Sequence, residues 1–320
     1  MKIKILDRSA MGFDLSFDPL CKFGEVEIYD NTSNEELCDR ISDADVLVIN
    51  KIKLTKNILE SAKSLKLICI FATGFDNVDI SASQELGIAV CNVPAYSTDS
   101  VTLFTVSNVL YLYSRLAEYR KHVVSGKYTE DGKANYLAPV YHELRGKVWG
   151  IIGLGNIGKS VARVAEAFGC NILVNKRVAV NGYNCVDIDT LCRESDIITI
   201  HCPLNESSKH IINEERLALM KPGVVIVNEA RGAVIDEEAV ANALISGRIA
   251  AFGSDVYSTE PFEKKHPFTK IMELDNVCLT PHSAWGAIEA RERCLSVICN
   301  NIESFLNGNV RNRVDIPKQN

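Results

Sequence analysis

The sequence has no long apolar run, no excess of positive charge and no paired cysteine motif. None of its segments approaches the roughly 20 uninterrupted apolar residues that a membrane helix needs. The 35 Lys and Arg residues against 41 Asp and Glu give a net charge of −6, which argues against a nucleic-acid or anionic-membrane partner. The eleven cysteines include no C-x-x-C pair and no zinc-like spacing. We therefore expect reduced thiols in a cytoplasm and no bound metal.

The 320 residues instead alternate short β-rich runs with helical patterns, in two series. The runs of the first series cover residues 3–6, 26–29, 46–49, 67–71 and 88–93. Those of the second series cover residues 148–153, 171–175, 197–201, 224–228, 250–254 and 277–280. Apolar strands separated by helices of this length predict βαβ units and parallel sheets covered on both faces. The remaining patterns predict one long helix over 99–124, an irregular polar loop over 125–145 and a final helix over 291–306.

A glycine motif follows the first strand of the second series. Gly153, Gly155 and Gly158 form G-x-G-x-x-G between an apolar run and a helical pattern, the placement used by dinucleotide-binding folds. Asn156 and Ile157 then lie in the first helical turn, where unpaired N–H groups and the helix dipole suit a pyrophosphate. We therefore expect dinucleotide binding here, although glycines at these spacings also occur in ordinary turns.

Polar side chains follow several predicted strands of the second series at their carboxyl ends, the edge where open α/β sheets bind ligands. His282 could donate a proton to a carbonyl oxygen, and Arg231 could hold a substrate carboxylate with two hydrogen bonds. Asp255 and Glu260 follow another strand, and a carboxylate near His282 would stabilise its imidazolium form. Taken singly, these residues also fit a loop histidine bonded to backbone, a surface arginine and solvated acids.

Five motifs of the second series occur together and in a fixed order. They are G-L-G-N-I-G at 153–158, His201-Cys202-Pro203-Leu204, Asn228-Glu229-Ala230-Arg231-Gly232, Asp255-Val256 with Glu260-Pro261, and Thr280-Pro281-His282. With the loop A-T-G-F-D-N-V-D at 72–79, they resemble the D-isomer-specific 2-hydroxyacid dehydrogenases over nearly the whole chain. The resemblance implies an α/β protein, usually a homodimer, with two domains. A flavodoxin-like substrate-binding (catalytic) domain would comprise 1–98 and 286–320, and a Rossmann-type, doubly wound dinucleotide-binding domain would comprise 99–285.

The resemblance also implies roles for individual residues. His282 would be the acid in ketone reduction, Glu260 its carboxylate partner, and Arg231 the residue that orients the substrate's carboxylate and keto groups. Asp255 would sit near the nicotinamide carboxamide. The other implied cofactor contacts are the glycine motif, Cys202, Pro203 and Ala230.

Three residues of the first series are implied on the substrate side. Backbone N–H groups around Thr73 and Gly74 would take the substrate carboxylate. Lys51 lies at a plausible substrate-side position, and a solvated lysine fits that position equally well.

One position departs from the NAD-dependent members of the family. Those members commonly end the second Rossmann strand with an acidic residue that bonds the adenosine ribose. Here that position is Lys176, followed by Arg177, and two cations would attract a 2′-phosphate that a carboxylate would repel. We therefore predict that NADP(H) is preferred over NAD(H), with a solvated basic loop as the alternative.

Within the family, residues 72–79, residues 94–98 and Trp285 look most like glycerate dehydrogenases, that is, hydroxypyruvate and glyoxylate reductases. The predicted activity is an NAD(P)-dependent interconversion of a small 2-keto acid and the D-2-hydroxy acid. One alternative is a dinucleotide-sensing binding protein, because corepressors use the same fold. Another is the same chemistry on formate or on a phosphorylated serine precursor, although the first series has no obvious basic cluster for a phosphate.

Overall fold

The computed structural model describes residues 1–178 and 180–316. Within that range the chain forms two compact units. The terminal unit consists of Met1–Ser97 together with residues 286–316, and the central unit consists of Thr98–Trp285. Each unit is built on one sheet in which every strand pair is parallel. The predicted α/β fold class with two parallel sheets is confirmed.

The sheet of the terminal unit has five strands in the order 2-1-3-4-5, which is the flavodoxin-like arrangement. Its strands are β1 (Lys2–Ile5), β2 (Glu25–Ile28), β3 (Val46–Ile49), β4 (Leu67–Ile70) and β5 (Ala89–Cys91). Its helices are α1 (Asn34–Ile41), α2 (Lys56–Ser61), α3 (Ile80–Glu85) and α11 (Ile288–Leu306). The four residues of β3 and the four of β4 are all buried, because helices cover both faces of a parallel sheet.

Helix α1 shows how local sequence fixes an element of this unit. The Ser33 hydroxyl accepts a hydrogen bond from the Glu36 N–H, and the Glu36 carboxylate accepts one from the Ser33 N–H. This capping box satisfies two N–H groups that would otherwise lack partners at the start of the helix. Leu37 and Ile41, four residues apart, are buried on the inner face.

The sheet of the central unit has seven strands in the order β12-β11-β10-β9-β6-β7-β8. They are β6 (Val148–Ile152), β7 (Asn171–Asn175), β8 (Asn184–Cys185), β9 (Ile197–Ile200), β10 (Val225–Asn228), β11 (Ala251–Ser254) and β12 (Val277–Leu279). The helices are α4 (Thr98–Tyr113), α5 (Leu116–Val124), α6 (Lys127–Glu130), α7 (Asn156–Ala167), α8 (Ile188–Glu194), α9 (Glu214–Leu219) and α10 (Glu237–Ile245). Strand order reverses between β6 and β9, which is the point where doubly wound sheets bind dinucleotides.

Two apolar cores fill the central unit. In one core, the fully buried Trp149 of β6 belongs to the same cluster as Val109 and Leu112 of α4, and its indole N–H donates to the Thr199 hydroxyl at 3.1 Å. In the other, the rings of Phe252 and Phe268 meet with centroids 5.1 Å apart. The buried indole N–H of Trp149 therefore has a hydrogen-bond partner, and the strand that precedes the glycine motif is closely packed.

The prediction of one continuous helix over 99–124 is wrong. The chain forms α4 and α5 instead, and they are separated at Arg115, which has a left-handed backbone (φ +56°). The Arg115 guanidinium makes two hydrogen bonds to the Glu118 carboxylate, at 2.6 and 2.7 Å, so the break is held by a side chain at the start of α5. The predicted loop over 125–145 also contains the short helix α6.

Two searches of the described residues concern membranes and metals. In residues 1–178 and 180–316, no helix combines the length and apolar character that crossing a membrane requires. The same range contains no group of three or more His, Cys, Asp or Glu side chains arranged to hold a metal ion.

Candidate active site

The glycine motif forms a tight turn from β6 into α7. Gly153 has φ +94°, and a Cβ there would lie 2.6 Å from the backbone nitrogen of Cys202, so only glycine fits. A Cβ on Gly158 would lie 2.2 Å from the Gly153 carbonyl oxygen, so α7 packs directly on the turn. Gly155 differs from both, because a Cβ there would meet no described atom within 4 Å.

The start of α7 has the features that a pyrophosphate site needs. Gly155 is its N-cap residue and supplies no side-chain hydrogen bond, while Asn156 and Ile157 begin the helix. The first N–H groups of this twelve-residue helix therefore face the open side of Gly155 without a capping side chain in the described structure. The turn fits a dinucleotide, and the assignment of these residues to cofactor binding stays a prediction.

The end of β9 lies against this turn and is uncharged. Burial lowers the pKa of His201 to about 3, and neither of its ring nitrogens has a hydrogen-bond partner among the described residues. Burial also raises the pKa of the neighbouring Cys202 thiol to about 11, while Pro203 is exposed. His201 was not predicted as a site residue. Its two buried, unpartnered nitrogens mark this edge as one that suits a polar ligand.

The two predicted cofactor cations follow β7. Both Lys176 and Arg177 are exposed. The Lys176 ammonium donates to the Leu154 carbonyl oxygen at 3.3 Å, so this charge lies beside the glycine turn. The predicted preference for NADP(H) depends on these two charges, and it stays a prediction.

The structure brings His282 and Glu260 together. His282 lies just beyond β12 with a left-handed backbone (φ +52°), and its Nδ1 is 2.6 Å from Glu260 Oε2. The other carboxylate oxygen of Glu260 accepts the Tyr257 N–H at 3.1 Å. Trp285 helps to hold the backbone of His282, because its indole N–H donates to the His282 carbonyl oxygen at 2.9 Å. About a quarter of each side chain of the His282–Glu260 pair is exposed.

Asp255 fixes the backbone on both sides of His282. Its buried carboxylate accepts the Thr280 hydroxyl at 2.6 Å, the Ser283 N–H at 2.9 Å and the Ala284 N–H at 2.8 Å. These contacts give Asp255 a structural task that its spacing did not suggest. Its predicted contact with the nicotinamide carboxamide stays a prediction.

Arg231 lies in the turn that follows β10. Asn228 shapes this turn, because its buried side chain accepts the Ala230 N–H at 3.1 Å and donates to the Arg231 carbonyl oxygen at 3.0 Å. The Arg231 guanidinium donates to the Ala230 carbonyl oxygen at 2.8 Å. A Cβ on Gly232 would lie 1.9 Å from the backbone carbon of Tyr257. The turn carrying Arg231 and the loop carrying Glu260 therefore touch backbone to backbone.

Glu229 is a buried acid in this turn that the sequence did not single out. Its Oε1 accepts the Asn108 amide at 2.8 Å, and its Oε2 is buried without a hydrogen-bond partner among the described residues. Burial raises the pKa of Glu229 to about 8, and the nearby charge of Asp255 adds to the shift. The other titratable groups near it are Tyr257 and Cys278, whose pKa values are raised mainly by burial. We therefore expect Glu229 to be mostly protonated in the folded protein at pH 7.

We expect the wild type to lose stability as pH rises, and Glu229→Gln to remove part of that loss. Between pH 4.5, the ordinary pKa of a glutamate, and about pH 8, the folded form keeps a proton that the unfolded form has released. The free energy of unfolding of the wild type therefore falls as pH rises through this window and levels off above it. The glutamine variant should be more stable than the wild type at pH 8.5, by about 2 to 4 kcal/mol.

Urea unfolding at pH 5, 6, 7, 8 and 9 measures this effect. Glu238→Gln is the matched control, since the exposed Glu238 carboxylate bonds the surface Lys270 ammonium at 2.7 Å. If the Glu229→Gln and wild-type curves run parallel at all five values, Glu229 is ionised in the folded protein and its proposed neutral state is wrong.

The predicted substrate residues lie in the terminal unit. Asp7, after β1, accepts the Lys51 backbone N–H at 2.6 Å and also bonds the N–H groups on either side, so this loop is held firmly. The Thr73 hydroxyl donates to the Val93 carbonyl oxygen at 2.8 Å. The N–H groups of Thr73 and Gly74 make no hydrogen bond within the described range of the chain. Substrate binding by Lys51, Thr73 and Gly74 stays a prediction.

Comparisons with known proteins point in one direction. A family model described as D-isomer specific 2-hydroxyacid dehydrogenase, NAD binding domain, matches residues 106–284. A hydroxypyruvate reductase of Blautia hydrogenotrophica is 36% identical, and the match covers 98% of this chain and 100% of that protein. The solved D-lactate dehydrogenase of Aquifex aeolicus, complexed with NAD and lactic acid, is 29% identical with a TM-score of 0.87 and covers 99% and 100%. An acyclic imino acid reductase in complex with NADPH and D-Arg is 32% identical with a TM-score of 0.85 and covers 98% and 100%.

Proposed function

The chain belongs to the D-isomer specific 2-hydroxyacid dehydrogenase family, and from that membership we propose that it reduces hydroxypyruvate or glyoxylate. It is an NAD(P)-dependent oxidoreductase, and its predicted family is confirmed. The product of the proposed reaction is the corresponding D-2-hydroxy acid. The observation that carries the proposal is the 2.6 Å contact between His282 and Glu260 at the carboxyl edge of the central sheet.

The contact places a hydrogen on Nδ1 of His282, and the proposed reduction requires a second one on Nε2. Glu260 accepts the hydrogen on Nδ1, and Nε2 then delivers its proton to the carbonyl oxygen of the substrate. When bound, NAD(P)H supplies the hydride that adds to the carbonyl carbon. The electron pair of the broken C=O π bond moves to oxygen, and His282 becomes neutral when that oxygen takes its proton. In the reverse direction the neutral imidazole accepts the hydroxyl proton, and Glu260 stabilises the resulting charge.

Arg231 is the group we assign to the substrate carboxylate. A guanidinium binds a carboxylate through two parallel N–H···O bonds, which fixes orientation as well as position. The Asn228 side chain and the close approach at Gly232 hold the Arg231 backbone in place. A rigid turn at this site supports the positioning that hydride transfer needs.

Initial rates of cofactor oxidation test the proposed reaction. Hydroxypyruvate, glyoxylate and pyruvate are each supplied with NADPH and with NADH. We expect the fastest turnover with hydroxypyruvate or glyoxylate. Turnover only with pyruvate overturns the proposed substrate and leaves the enzyme class intact. Dinucleotide binding without turnover of any 2-keto acid supports a sensing protein, an alternative that the similarity to enzymes does not favour.

We propose NADP(H) as the preferred cofactor, and Lys176→Asp tests it. The two solved relatives contain NADPH in one case and NAD in the other, so the support comes from Lys176 beside Leu154 and the exposed Arg177. The variant should lower the ratio of kcat/KM for NADPH to that for NADH by about 10- to 100-fold, because it removes a hydrogen bond between charged groups. Lys270→Asp, a charge reversal at a surface pair, is the control. An unchanged ratio in Lys176→Asp removes Lys176 from phosphate binding.

We propose that the protein is a homodimer that buries an apolar face of the central unit. Large apolar side chains are exposed on α5 and the segment after it: Leu116, Val123, Val124, Tyr128, Tyr136, Leu137, Val140 and Tyr141. Two of them lie against α5, because the Tyr119 ring contacts both Tyr136 and Tyr141, with centroids 6.1 and 6.0 Å apart. Exposed apolar surface of this kind usually marks a protein interface. Light scattering should give twice the chain mass, and Leu137→Asp with Val140→Asp should halve it.

We also propose a cytoplasmic location. All eleven cysteines are free thiols, and burial raises the pKa of Cys91 and Cys192 to about 12. Buried neutral thiols persist in a reducing compartment. Fractionation of the source cells, followed by immunodetection, tests this location.

A further inference from the structure

A polar cluster with two buried members and one exposed member holds the loop that carries Glu260. It consists of Glu237, Ser258 and His266, and we call it the anchor cluster. Glu237 Oε1 accepts the Ser258 N–H at 2.9 Å, and Glu237 Oε2 accepts the Ser258 hydroxyl at 2.5 Å. His266 Nε2 is 3.0 Å from the same Oε2. Glu237 and His266 are each only 9% exposed, so the bond between them is shielded from water, whereas Ser258 is exposed.

The hydrogen positions in the anchor cluster follow from one backbone contact. The Phe268 N–H donates to His266 Nδ1 at 3.2 Å, so Nδ1 is an acceptor and a hydrogen lies on Nε2. His266 therefore donates to Glu237, and the Glu237 carboxylate receives three hydrogen bonds in total. Glu237 also lies in the first turn of α10, where the helix dipole favours a negative charge.

The chemistry of the cluster is that of a support, not of a nucleophile. A serine nucleophile is activated by an adjacent general base, most often a histidine that bonds its hydroxyl directly. Here the Ser258 hydroxyl and His266 Nε2 both bond the same carboxylate oxygen, Glu237 Oε2. The carboxylate thus joins two donors that belong to different segments of the chain.

The loop held by the anchor cluster also makes the contacts that position Glu260 and His282. Ser258 directly follows Tyr257, whose N–H bonds Glu260 and whose hydroxyl donates to the Thr280 carbonyl oxygen at 2.8 Å. Thr280 precedes His282 by two residues, so one tyrosine ties both loops together. We propose that Glu237 is a positioning residue for the Glu260–His282 pair, acting through Ser258, with His266 fixing the orientation of its carboxylate. The role in turnover rests on the proposed function.

Glu237→Gln is the sharpest test of this role. The glutamine presents an NH₂ group to one of the donors, Ser258 or His266, so one bond becomes a repulsive contact and the loop must shift. Displacement of Glu260 should lower kcat about tenfold, because small errors in the position of catalytic groups are costly. The pH midpoint of the reduction rate should move toward acid as the imidazolium of His282 loses its partner. The KM for the dinucleotide should stay within about twofold, since the glycine motif takes no part in the cluster.

Two further variants make the test specific. Glu238→Gln is the matched control, one residue away with the same change of charge, and it should leave kcat and the pH midpoint unchanged. Ser258→Ala removes the hydroxyl bond and keeps the backbone bond, so kcat should fall by about threefold. If Glu237→Gln does not fold, Ser258→Ala decides the question.

A second readout does not depend on turnover. The histidine ring resonances of the wild type and Glu237→Gln are followed by NMR against pH, and the His282 signal is identified by its loss in His282→Ala. We expect its titration midpoint to move toward acid in Glu237→Gln. A wild type that turns over no 2-keto acid defeats the proposed function, and this titration still tests the anchor cluster. Wild-type kcat together with an unmoved His282 titration in folded Glu237→Gln overturns the positioning role.

Discussion

His282→Ala is expected to lower kcat for 2-keto acid reduction by about 10²-fold or more, the usual contribution of a general acid. The variant removes the proton donor that Glu260 holds at 2.6 Å. The dissociation constant of the dinucleotide should stay near the wild-type value, because the glycine motif is unchanged. Steady-state kinetics with hydroxypyruvate and a separate fluorescence titration of the dinucleotide measure the two quantities.

A matched control exists for the backbone of His282. His210 has a similar left-handed conformation, with φ +49° against +52°, and its side chain is exposed. Alanine at either position meets the same conformational penalty, so His210→Ala separates strain from chemistry. Near-normal turnover in His282→Ala, or an equal loss in both variants, contradicts the assignment of His282 as the acid.

Gly232→Ala is expected to destabilise the central unit by about 3 kcal/mol or more. The added Cβ would lie 1.9 Å from the carbon and 2.5 Å from the Cα of Tyr257, and both atoms belong to backbone that cannot rotate away. The turn carrying Arg231 must therefore separate from the loop carrying Glu260. Activity should fall along with stability, and urea unfolding together with steady-state kinetics would show both.

Gly155→Ala is the control for this effect, because a Cβ on Gly155 meets no described atom within 4 Å and its φ is −83°. Its stability should lie within about 1 kcal/mol of the wild type. Dinucleotide binding should still weaken, since the Cβ projects where the pyrophosphate is proposed to lie. A Gly232→Ala protein as stable as Gly155→Ala would mean that the two loops part at little cost.

The sequence predicts the layers of the fold because they follow from patterns that act over a few residues. Buried runs such as those of β3 and β9 read as strands of a sheet covered on both faces. Ser33 and Glu36 specify the start of α1 by a local hydrogen-bond exchange. The family follows from motifs such as Asn228–Gly232 in a fixed order, and it is confirmed.

The remainder follows no periodic pattern, and most of it depends on contacts between residues far apart in sequence. The apolar pattern of 99–124 continues through Arg115 without interruption. The break in the helix there depends on the hydrogen bonds of the Arg115 side chain, which hydrophobic periodicity does not show. In the sequence, Glu229 is only one residue of a motif. Its pKa is raised by burial in the folded protein, where it lies beside Asn108, 121 residues earlier. His266 is 29 residues from Glu237, so the anchor cluster has no sequence signature of its own.

Both tryptophans of the chain, Trp149 and Trp285, belong to the central unit, so the two units differ in intrinsic fluorescence. Trp149 is enclosed in the core, whereas Trp285 is half-buried and bonded to the His282 carbonyl. Tryptophan emission therefore reports the surroundings of these two side chains. A melting curve followed by emission describes two positions of the central unit, while far-ultraviolet circular dichroism describes both units. Any gap between the two curves would measure how independently the units unfold.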